Sequence, residues 1–481
     1  MNNFKFSDFA IGDDILNAID KLGFKNPSKV QQEVIPLALK GRDLIVKSQT
    51  GSGKTAAFGI PICEKINIEE RKPQVLILTP TRELCVQVKE DISNLGRLKR
   101  IKCAAIFGKQ PYEAQVRALK QRTHIIVGTP GRTLDHLERG SVDFTGIKYF
   151  IIDEADEMLK LGFIEQVEAI INKININRIT MLFSATIPQV IGNICNKYMI
   201  DPLILEIDSS KITADNITHV YYEIDETKKY DLLLKILYFE NPKSGIIFCS
   251  TKERVGNITS RLKKQHIPCE ALHGGMLQND RLSTIDRFRR GEFMFLVTTD
   301  VAARGIDIEN ITHIINYDVP MEKERYVHRI GRTARAGENG MAVTFVSKNE
   351  AKFFSAVEEY IGFKIDKVEI PTEEAVMISK EAFLNSINSK PKLKKSKSAE
   401  LNKSITKIYI GAGKKKKIRP VDIVGTITSI EGISPEDIGI IDIQENFSYV
   451  DILNKKGLIV IDALKHKTLK GKTVRVQKAE K

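Results

Sequence analysis

The sequence predicts an α/β protein built of two parallel-sheet domains in tandem, followed by a small domain of βαββαβ order. Three observations predict it. From Lys40 to about Pro202, short β-branched runs alternate with longer stretches of helical composition, the pattern of a parallel sheet covered by helices. The alternation restarts after about Ser209. Beyond a segment rich in Lys, Ser and Asn, a third and shorter pattern begins at Ile405.

In the first domain the expected strands are Leu44-Ile-Val, Val75-Leu-Ile-Leu, His124-Ile-Ile-Val, Tyr149-Phe-Ile-Ile and Met181-Leu-Phe. In the second they are Gly245-Ile-Ile-Phe, Phe293-Met-Phe-Leu-Val, His313-Ile-Ile-Asn and Met341-Ala-Val-Thr-Phe-Val. After Pro371 the pattern fades. The stretch 372–404, and above all Ser386 to Ser404, is poor in apolar residues and rich in like charge, which predicts a basic flexible linker. Order returns with strand Lys407-Ile-Tyr-Ile, helix Pro420 to Ile430, strands Ile438 to Ile443 and Phe447 to Leu453, helix Gly457 to Leu464 and strand Thr473 to Val476. This order over about 75 residues predicts a split-βαβ domain. The expected domains are therefore 1–206, 207–371 and 405–481, with the linker at 372–404.

Composition narrows the function. A chain of 481 residues is too long for one compact core, and 42% hydrophobic with 28% charged residues is the balance of a soluble globular protein. The formal net charge of +13 favours polyanions, either nucleic acid or an anionic membrane surface. No apolar run approaches the roughly 18 residues a membrane helix needs, and Met1 to Asp14 lacks an apolar signal core. No membrane association is expected, and the expected location is cytoplasmic. The six cysteines have no CxxC spacing and no dense framework, so they are expected to be reduced and mostly buried.

The first site is read from a loop. Strand Asp43 to Lys47 runs into Ser48-Gln-Thr-Gly-Ser-Gly-Lys-Thr55 and then into a helical stretch, the context of a phosphate-binding loop. Ser48, Gln49, Thr50, Gly51, Ser52 and Gly53 would line it, and the amides of Gly51 to Lys54 would cradle phosphates at a helix N-terminus. Lys54 would neutralise the β and γ groups and Thr55 would hold Mg2+. Ser48 stands where the generic pattern has its first glycine. Downstream, the apolar strand Phe150-Ile-Ile ends in Asp153-Glu-Ala-Asp156, placing carboxylates at the carboxyl end of a buried strand, where α/β ligands bind. Asp153 is expected to hold the metal and Glu154 to position the attacking water.

The second domain has no Gly-Lys-Thr loop; Ile246-Ile-Phe-Cys-Ser-Thr251 leads straight into Lys252-Glu-Arg. It does carry His328-Arg-Ile-Gly-Arg-Thr-Ala-Arg335, whose Arg332 and Arg335 would reach charge developing on the γ-phosphate. Closure between the domains is expected to complete one ATP site.

These residues, in order and spacing from Phe6 to Pro371, resemble the DEAD-box family of RNA helicases, which implies two RecA-like domains and RNA-dependent ATP hydrolysis. Gly23-Phe-Lys-Asn-Pro-Ser-Lys-Val-Gln31 is similar to the family's adenine-reading motif. The resemblance implies Gln31 at the adenine edge, Lys29 nearby and Phe6 as the supporting aromatic. Pro80, Thr81 and Arg82, then Gly108, then Thr129 and Arg132, are similar to segments that hold the RNA backbone; where the family has a Gly-Gly pair this chain has Gly108-Lys109. Ser184-Ala-Thr186 matches the segment that couples hydrolysis to strand separation, a role implied also for His328. In the second domain Ser250, Thr251, Gly274, Gln278, Thr299 and Gly305 take the remaining RNA positions, and Asp307 the ribose.

The last domain aligns with an RRM: Ile408-Tyr-Ile410 sits at its first RNA-stacking motif and Glu445 to Ile452 at its second. Tyr409, Phe447 and Tyr449 are either a stacking platform or core aromatics. Lys414, Lys415, Lys416, Lys417 and Arg419 form a basic run suited to phosphate. Helicase core, basic linker and divergent RRM together resemble the DbpA-type bacterial helicases. That resemblance implies binding to a hairpin of large-subunit ribosomal RNA, contact with pre-ribosomal particles and a role in large-subunit assembly. No obligate protein partner is readable. The rival readings are a general RNA remodeller in cold adaptation or RNA decay, a processive DNA motor, and an ATP-gated RNA clamp.

Overall fold

The computed structural model describes residues 4–49, 51–207, 216–305, 308, 311–334, 338–388, 393 and 398–479. In the first domain, strands β1 (Leu44–Lys47), β2 (Val75–Leu78), β3 (Cys103–Ile106), β4 (Ile125–Gly128), β5 (Tyr149–Ile152), β6 (Ile179–Ser184) and β7 (Leu203–Glu206) form one sheet. Its order is β3-β4-β2-β5-β6-β1-β7, and every pairing is parallel. Strand β2 shows why. All four of its residues are buried, with Val75 and Ile77 in the core on one face and Leu76 and Leu78 in the core on the other. A strand that is apolar on both faces needs helices on both sides, and parallel crossovers supply them.

The second domain repeats this plan. Strands β8 (Ile217–Glu223), β9 (Gly245–Cys249), β10 (Cys269–Leu272), β11 (Phe295–Thr299), β12 (His313–Asn316), β13 (Gly340–Val346) and β14 (Asp366–Lys367) form a sheet ordered β10-β11-β9-β12-β13-β8-β14. It is again wholly parallel. Subtracting seven from each label reproduces the first sheet, so β8 is the counterpart of β1. The first strand the sequence predicts in this domain is Gly245-Ile-Ile-Phe; the true first strand, Ile-Thr-His-Val-Tyr-Tyr-Glu, interleaves polar and apolar side chains and presents no continuous run. Strands β3 and β7 escape for the same reason: their residues alternate between more and less buried at the sheet edges.

The predicted linker is corrected over its first half. Glu373–Asn388 is a helix whose Val376 and Phe383, two turns apart on one face, are both buried. Phe383 lies 5.4 Å from the Tyr238 ring and 6.4 Å from that of Phe295, within the core of the second domain. Two anchors seven residues apart are enough to seat a helix whose average composition is polar.

The last domain has strands β15 (Thr406–Ile410), β16 (Ile438–Ile443), β17 (Ser448–Ile452) and β18 (Val476–Lys478), in the antiparallel order β16-β17-β15-β18. Helices Pro420–Thr428 and Gly457–His466 share its core with Ile408, Ile410, Val450 and Ile452. The final strand begins at Val476 and not at Thr473 as predicted. Residues 473–475 instead lead up to it, with the Arg475 carbonyl accepting from Gly411 N at 2.8 Å.

Nor does this domain hang free on a tether. Leu401, Ile405 and Leu453 are buried against Leu22 and Leu98 of the first domain. Arg97 donates to Asp451 Oδ2 at 3.2 Å and to Asn402 Oδ1 at 3.0 Å, Arg100 to the Pro435 carbonyl at 2.8 Å and Gln121 to the Ile443 carbonyl at 2.6 Å. The Asp451 side chain is only 4% exposed, so its charge depends on Arg97. A charge-assisted hydrogen bond of this kind contributes roughly 1.5–3 kcal/mol. Arg97→Glu should therefore shift docking by at least about tenfold toward release, read as a larger radius of gyration in small-angle X-ray scattering of the RNA-free protein. Arg97→Glu combined with Asp451→Arg should restore the native radius. No change in the single variant would remove this pair from the interface.

Candidate nucleotide and RNA sites

The phosphate-binding loop follows β1, which is held on both sides by β6 and β7; Ser48 N donates to the Ser184 carbonyl at 3.0 Å. Gly51 and Gly53 take φ of 81° and 95°, left-handed values that a residue with a Cβ adopts only under strain. At Gly53 a Cβ would also lie 2.6 Å from Gln31 Nε2. Lys54 opens the helix Lys54–Lys65, and its buried ammonium donates to the Ser48 carbonyl at 3.3 Å. Thr55 follows in the first turn, beside Ser52 and after Gln49; Thr50 lies outside the described residues.

Gln31 sits on the helix Lys29–Leu39. Its Oε1 accepts from Ser28 N at 2.9 Å and its Nε2 donates to the Gly53 carbonyl at 3.2 Å, while Ser28 Oγ donates to the Ser52 carbonyl at 2.8 Å. The amide thus braces the loop. A primary amide has two N–H groups and two lone pairs, which leaves one of each for an adenine edge. Phe6 is buried, edge-on to Phe9 and Phe24. It belongs to the core of the first domain.

Asp153 follows β5, its N–H on the Leu78 carbonyl at 3.0 Å. Burial pushes its carboxyl pKa up, with Lys54 opposing, and its Oδ1 is buried without a hydrogen-bond partner. An orphaned buried carboxylate oxygen facing the lysine of a phosphate-binding loop is a donor that suits a hard divalent cation such as Mg2+. Glu154 takes φ 53°, a strained value for a non-glycine residue. Asp156, to which the sequence reading assigned no role, is the link to the next segment. Its N–H donates to Ser184 Oγ at 3.1 Å, and its Oδ2 accepts from Thr186 N and Thr186 Oγ1, each at 3.2 Å. Ser184 Oγ donates in turn to the Thr186 carbonyl at 2.6 Å. The signal was in the sequence, in the second Asp of the tetrapeptide.

The predicted RNA segments of this domain gather elsewhere on the same edge. Pro80, Thr81 and Arg82 follow β2, Gly108 follows β3, and Thr129 and Arg132 follow β4, three adjacent strands. Thr81 caps its helix, accepting from Leu84 N at 3.2 Å. The Arg82 guanidinium lies against Gly108, 3.4 Å from where a Cβ would stand. Lys109, in place of a second glycine, holds φ 61°. Arg132 Nη1 donates to the Gln110 carbonyl at 3.3 Å.

In the second domain Ser250 and Thr251 follow β9, Gly274 follows β10, and Thr299 ends β11, again three adjacent strands. Thr251 and Thr299 cap helices, accepting from Arg254 N and Ala302 N. Gln278 opens the helix Gln278–Arg289, and Gly305 has φ 68°. His328 lies on the helix Lys323–Ile330 after β12, with Arg332 just beyond it and mostly buried; Asp307 and Arg335 lie outside the described residues. After β8, where the first domain has its phosphate-binding loop, stands a fully buried Lys229. Its Nζ lies 2.6 Å from Glu350, 2.9 Å from Glu226 and 3.4 Å from Asp318. An internal ammonium among three carboxylates fills the place of a cradle for anions.

On the last domain Tyr409, Phe447 and Tyr449 form a ring trio with centroids 5.2–5.9 Å apart, on the sheet face away from the helices. Tyr449 lines a cavity of about 420 Å³ with Lys407, Asp442 and Asp451 on one side and Arg97 and Lys102 on the other. Lys414, Lys415, Lys416 and Lys417 are exposed, and Arg419 pairs with Asp422 at 3.4 Å.

Known proteins share this arrangement. Residues 28–194 match the DEAD/DEAH box helicase family, residues 228–337 the helicase conserved C-terminal domain and residues 407–478 the DbpA RNA binding domain. The chain is 56% identical over 476 residues to the ATP-dependent RNA helicase DbpA of Bacillus subtilis (strain 168), covering 99% of each. It is 42% identical over 367 residues to the DEAD-box ATP-dependent RNA helicase CshA of Geobacillus kaustophilus, covering 76% of this chain and 79% of that one. Among solved structures, S. cerevisiae Dbp5 bound to RNA and ADP BeF3 aligns with a TM-score of 0.71 at 31% identity, covering 80% of this chain and 100% of that one.

Gln31→Ala deletes two neutral hydrogen bonds of roughly 1 kcal/mol each. ATP and GTP binding should both weaken by up to about 30-fold through the lost brace, and the two affinities should also converge if the remaining valences read adenine. Parallel titration calorimetry with both nucleotides separates these effects; unchanged affinity for both would exclude the brace.

Proposed function

The chain belongs to the DEAD-box family of ATP-dependent RNA helicases, and from that premise we propose that it unwinds short RNA duplexes of the large ribosomal subunit during its assembly in the cytoplasm. The observation that carries the motor half is the series of side chains from the phosphate-binding loop to the coupling segment: buried Lys54 and Asp153, then buried Asp156 bonded to Ser184 and to Thr186 at the surface. The amides of Gly51 to Lys54 and the Lys54 ammonium hold the triphosphate, Thr55 and Asp153 hold Mg2+, and Glu154 orients the attacking water. When bound, the cation neutralises charge on the phosphate oxygens. Arg332 and Arg335 stabilise the charge that develops on the transferred phosphoryl group. Pro80, Thr81, Arg82, Gly108, Thr129 and Arg132, with Ser250, Thr251, Gly274, Gln278, Thr299 and Gly305, grip the backbone of one strand. The address half is supported by the match of residues 407–478 to the DbpA RNA binding domain and by the exposed lysine run Lys414 to Lys417.

Turnover should be slow without RNA and strongly stimulated by it. Glu154→Gln keeps the shape of the side chain and loses the base, so ATP and RNA binding should persist while hydrolysis falls at least about a hundredfold. Normal turnover in that variant would take Glu154 out of the catalytic role, and equal rates with and without RNA would sink the RNA-gated reading.

The targeting half has its own test. Deleting residues 405–481 should preserve maximal ATPase on generic RNA and abolish the preference for large-subunit ribosomal RNA fragments. In the full chain, replacing Lys414 to Lys417 by Gln should lower the log–log salt slope of binding to such a fragment by roughly 3, if each lysine meets one phosphate. A truncated chain that still discriminates ribosomal from arbitrary RNA would overturn the address role.

A further inference from the structure

One buried amide in the first domain joins two of the proposed RNA-gripping segments. Gln115 lies on the helix Tyr112–Leu119, which follows β3, and is 6% exposed. Its Nε2 donates to the Phe107 carbonyl at 2.8 Å, immediately before Gly108-Lys109. Its Oε1 meets Arg132 Nη1 at 3.3 Å and His136 Nε2 at 3.0 Å. A carbonyl only accepts, so the contact with Phe107 fixes which end of the amide is the NH2 group. Oε1 must then be an acceptor, and His136 Nε2 carries the proton. Its other nitrogen faces Ser141 Oγ at 2.7 Å. Burial, aided by the neighbouring Arg132, holds the His136 pKa down to about 4, which keeps the imidazole neutral and its proton count constant.

The same group confines Arg132. The Tyr112 ring stacks on His136 at 4.4 Å and 12° and has the guanidinium carbons of Arg132 and Arg139 at 5.7 and 4.7 Å from its centroid. Asp135 approaches Arg132 Nε at 3.5 Å. Arg132 therefore points along one direction only, and the loop that carries Lys109 at a left-handed φ is anchored through the bond to Phe107.

We propose that Gln115 is a positioning residue for RNA: its amide clamps the Gly108–Gln110 loop to the helix of Arg132, so that both reach one RNA backbone at a set spacing. This rests on the reading of Gly108 and Arg132 as RNA contacts. Three points of chain must meet phosphates whose spacing is set by the nucleic acid, and a clamp between two of them removes the freedom that binding would otherwise have to freeze.

The test is a double-mutant cycle in the full chain, with RNA-stimulated ATPase as the readout. Gln115→Leu should raise the half-saturating RNA concentration by roughly tenfold, the loss expected for a hydrogen bond to a charged group, while turnover at excess RNA changes less than twofold. Gln115→Glu keeps the acceptor for Arg132 and His136 and loses the donor to Phe107, so it should fall between wild type and Gln115→Leu; it also serves if the leucine variant folds poorly. Arg132→Ala tests the underlying reading on its own: if it leaves the half-saturating RNA concentration unchanged, the RNA-contact assignment fails whatever Gln115 does. If Arg132→Ala weakens RNA and Gln115→Leu adds nothing in that background, Gln115 acts through Arg132. Full additivity of the two, or a fall in maximal turnover with unchanged RNA dependence, would overturn the proposal.

Discussion

Parallel strand pairing is the constraint on which both helicase domains depend. When seven strands run the same way, every carboxyl end falls on one edge of the sheet, and every following helix starts there with its unsatisfied N–H groups pointing outward. Phosphate-binding amides, threonine caps and strand-terminal carboxylates then lie along one line without any further device. In the first domain Ser48, Gly51 to Thr55, Thr81, Thr129 and Asp153 all occupy this edge because their strands have no alternative direction.

Strand order then divides the edge into zones. The phosphate-binding loop follows β1 and the proposed RNA segments follow β2, β3 and β4, while β5 and β6 lie between them. These intermediate strands end in Asp153-Glu-Ala-Asp156 and in Ser184-Ala-Thr186, whose contact through Asp156 spans the two zones. For the proposed coupling of nucleotide and RNA, this contact offers a short covalent and hydrogen-bonded route at the place the topology puts it. The second domain keeps the order but not the loop: Lys229 among its carboxylates neutralises charge internally, which removes the need for an anion and leaves that edge to the caps Thr251 and Thr299.

The last domain presents two surfaces of different character. The lysine run at 414–417 is exposed, and among the described residues its one ion pair is that of Lys414 with Glu445 at 3.9 Å. The outer sheet face carries the aromatic trio and Asp442, and part of it is turned toward Lys102 and Arg97 of the first domain, Arg97 being paired with the buried Asp451.

What the sequence by itself determined is whatever depends on contiguous residues. The central strands of both sheets, the phosphate-binding loop, the Asp153-Glu154 pair and the small domain's order are legible because each is a short run with its own physical signature: continuous apolarity, glycines at left-handed positions, or carboxylates at a strand end. The edge strands β3, β7, β10 and β14 and the interleaved β8 were not, because half-exposed strands carry no continuous run. The helix Glu373–Asn388 was hidden by composition, since two buried residues in sixteen do not move an average. Tertiary structure alone decided the rest: that Gln31 braces Gly53, that Asp156 reaches Thr186, that Gln115 joins Phe107 to Arg132, and that Arg97 meets Asp451 across 354 positions of chain. Each is a hydrogen bond between residues distant in sequence, and such partners are chosen by which strand ends and surfaces the fold brings together, a quantity no local pattern contains.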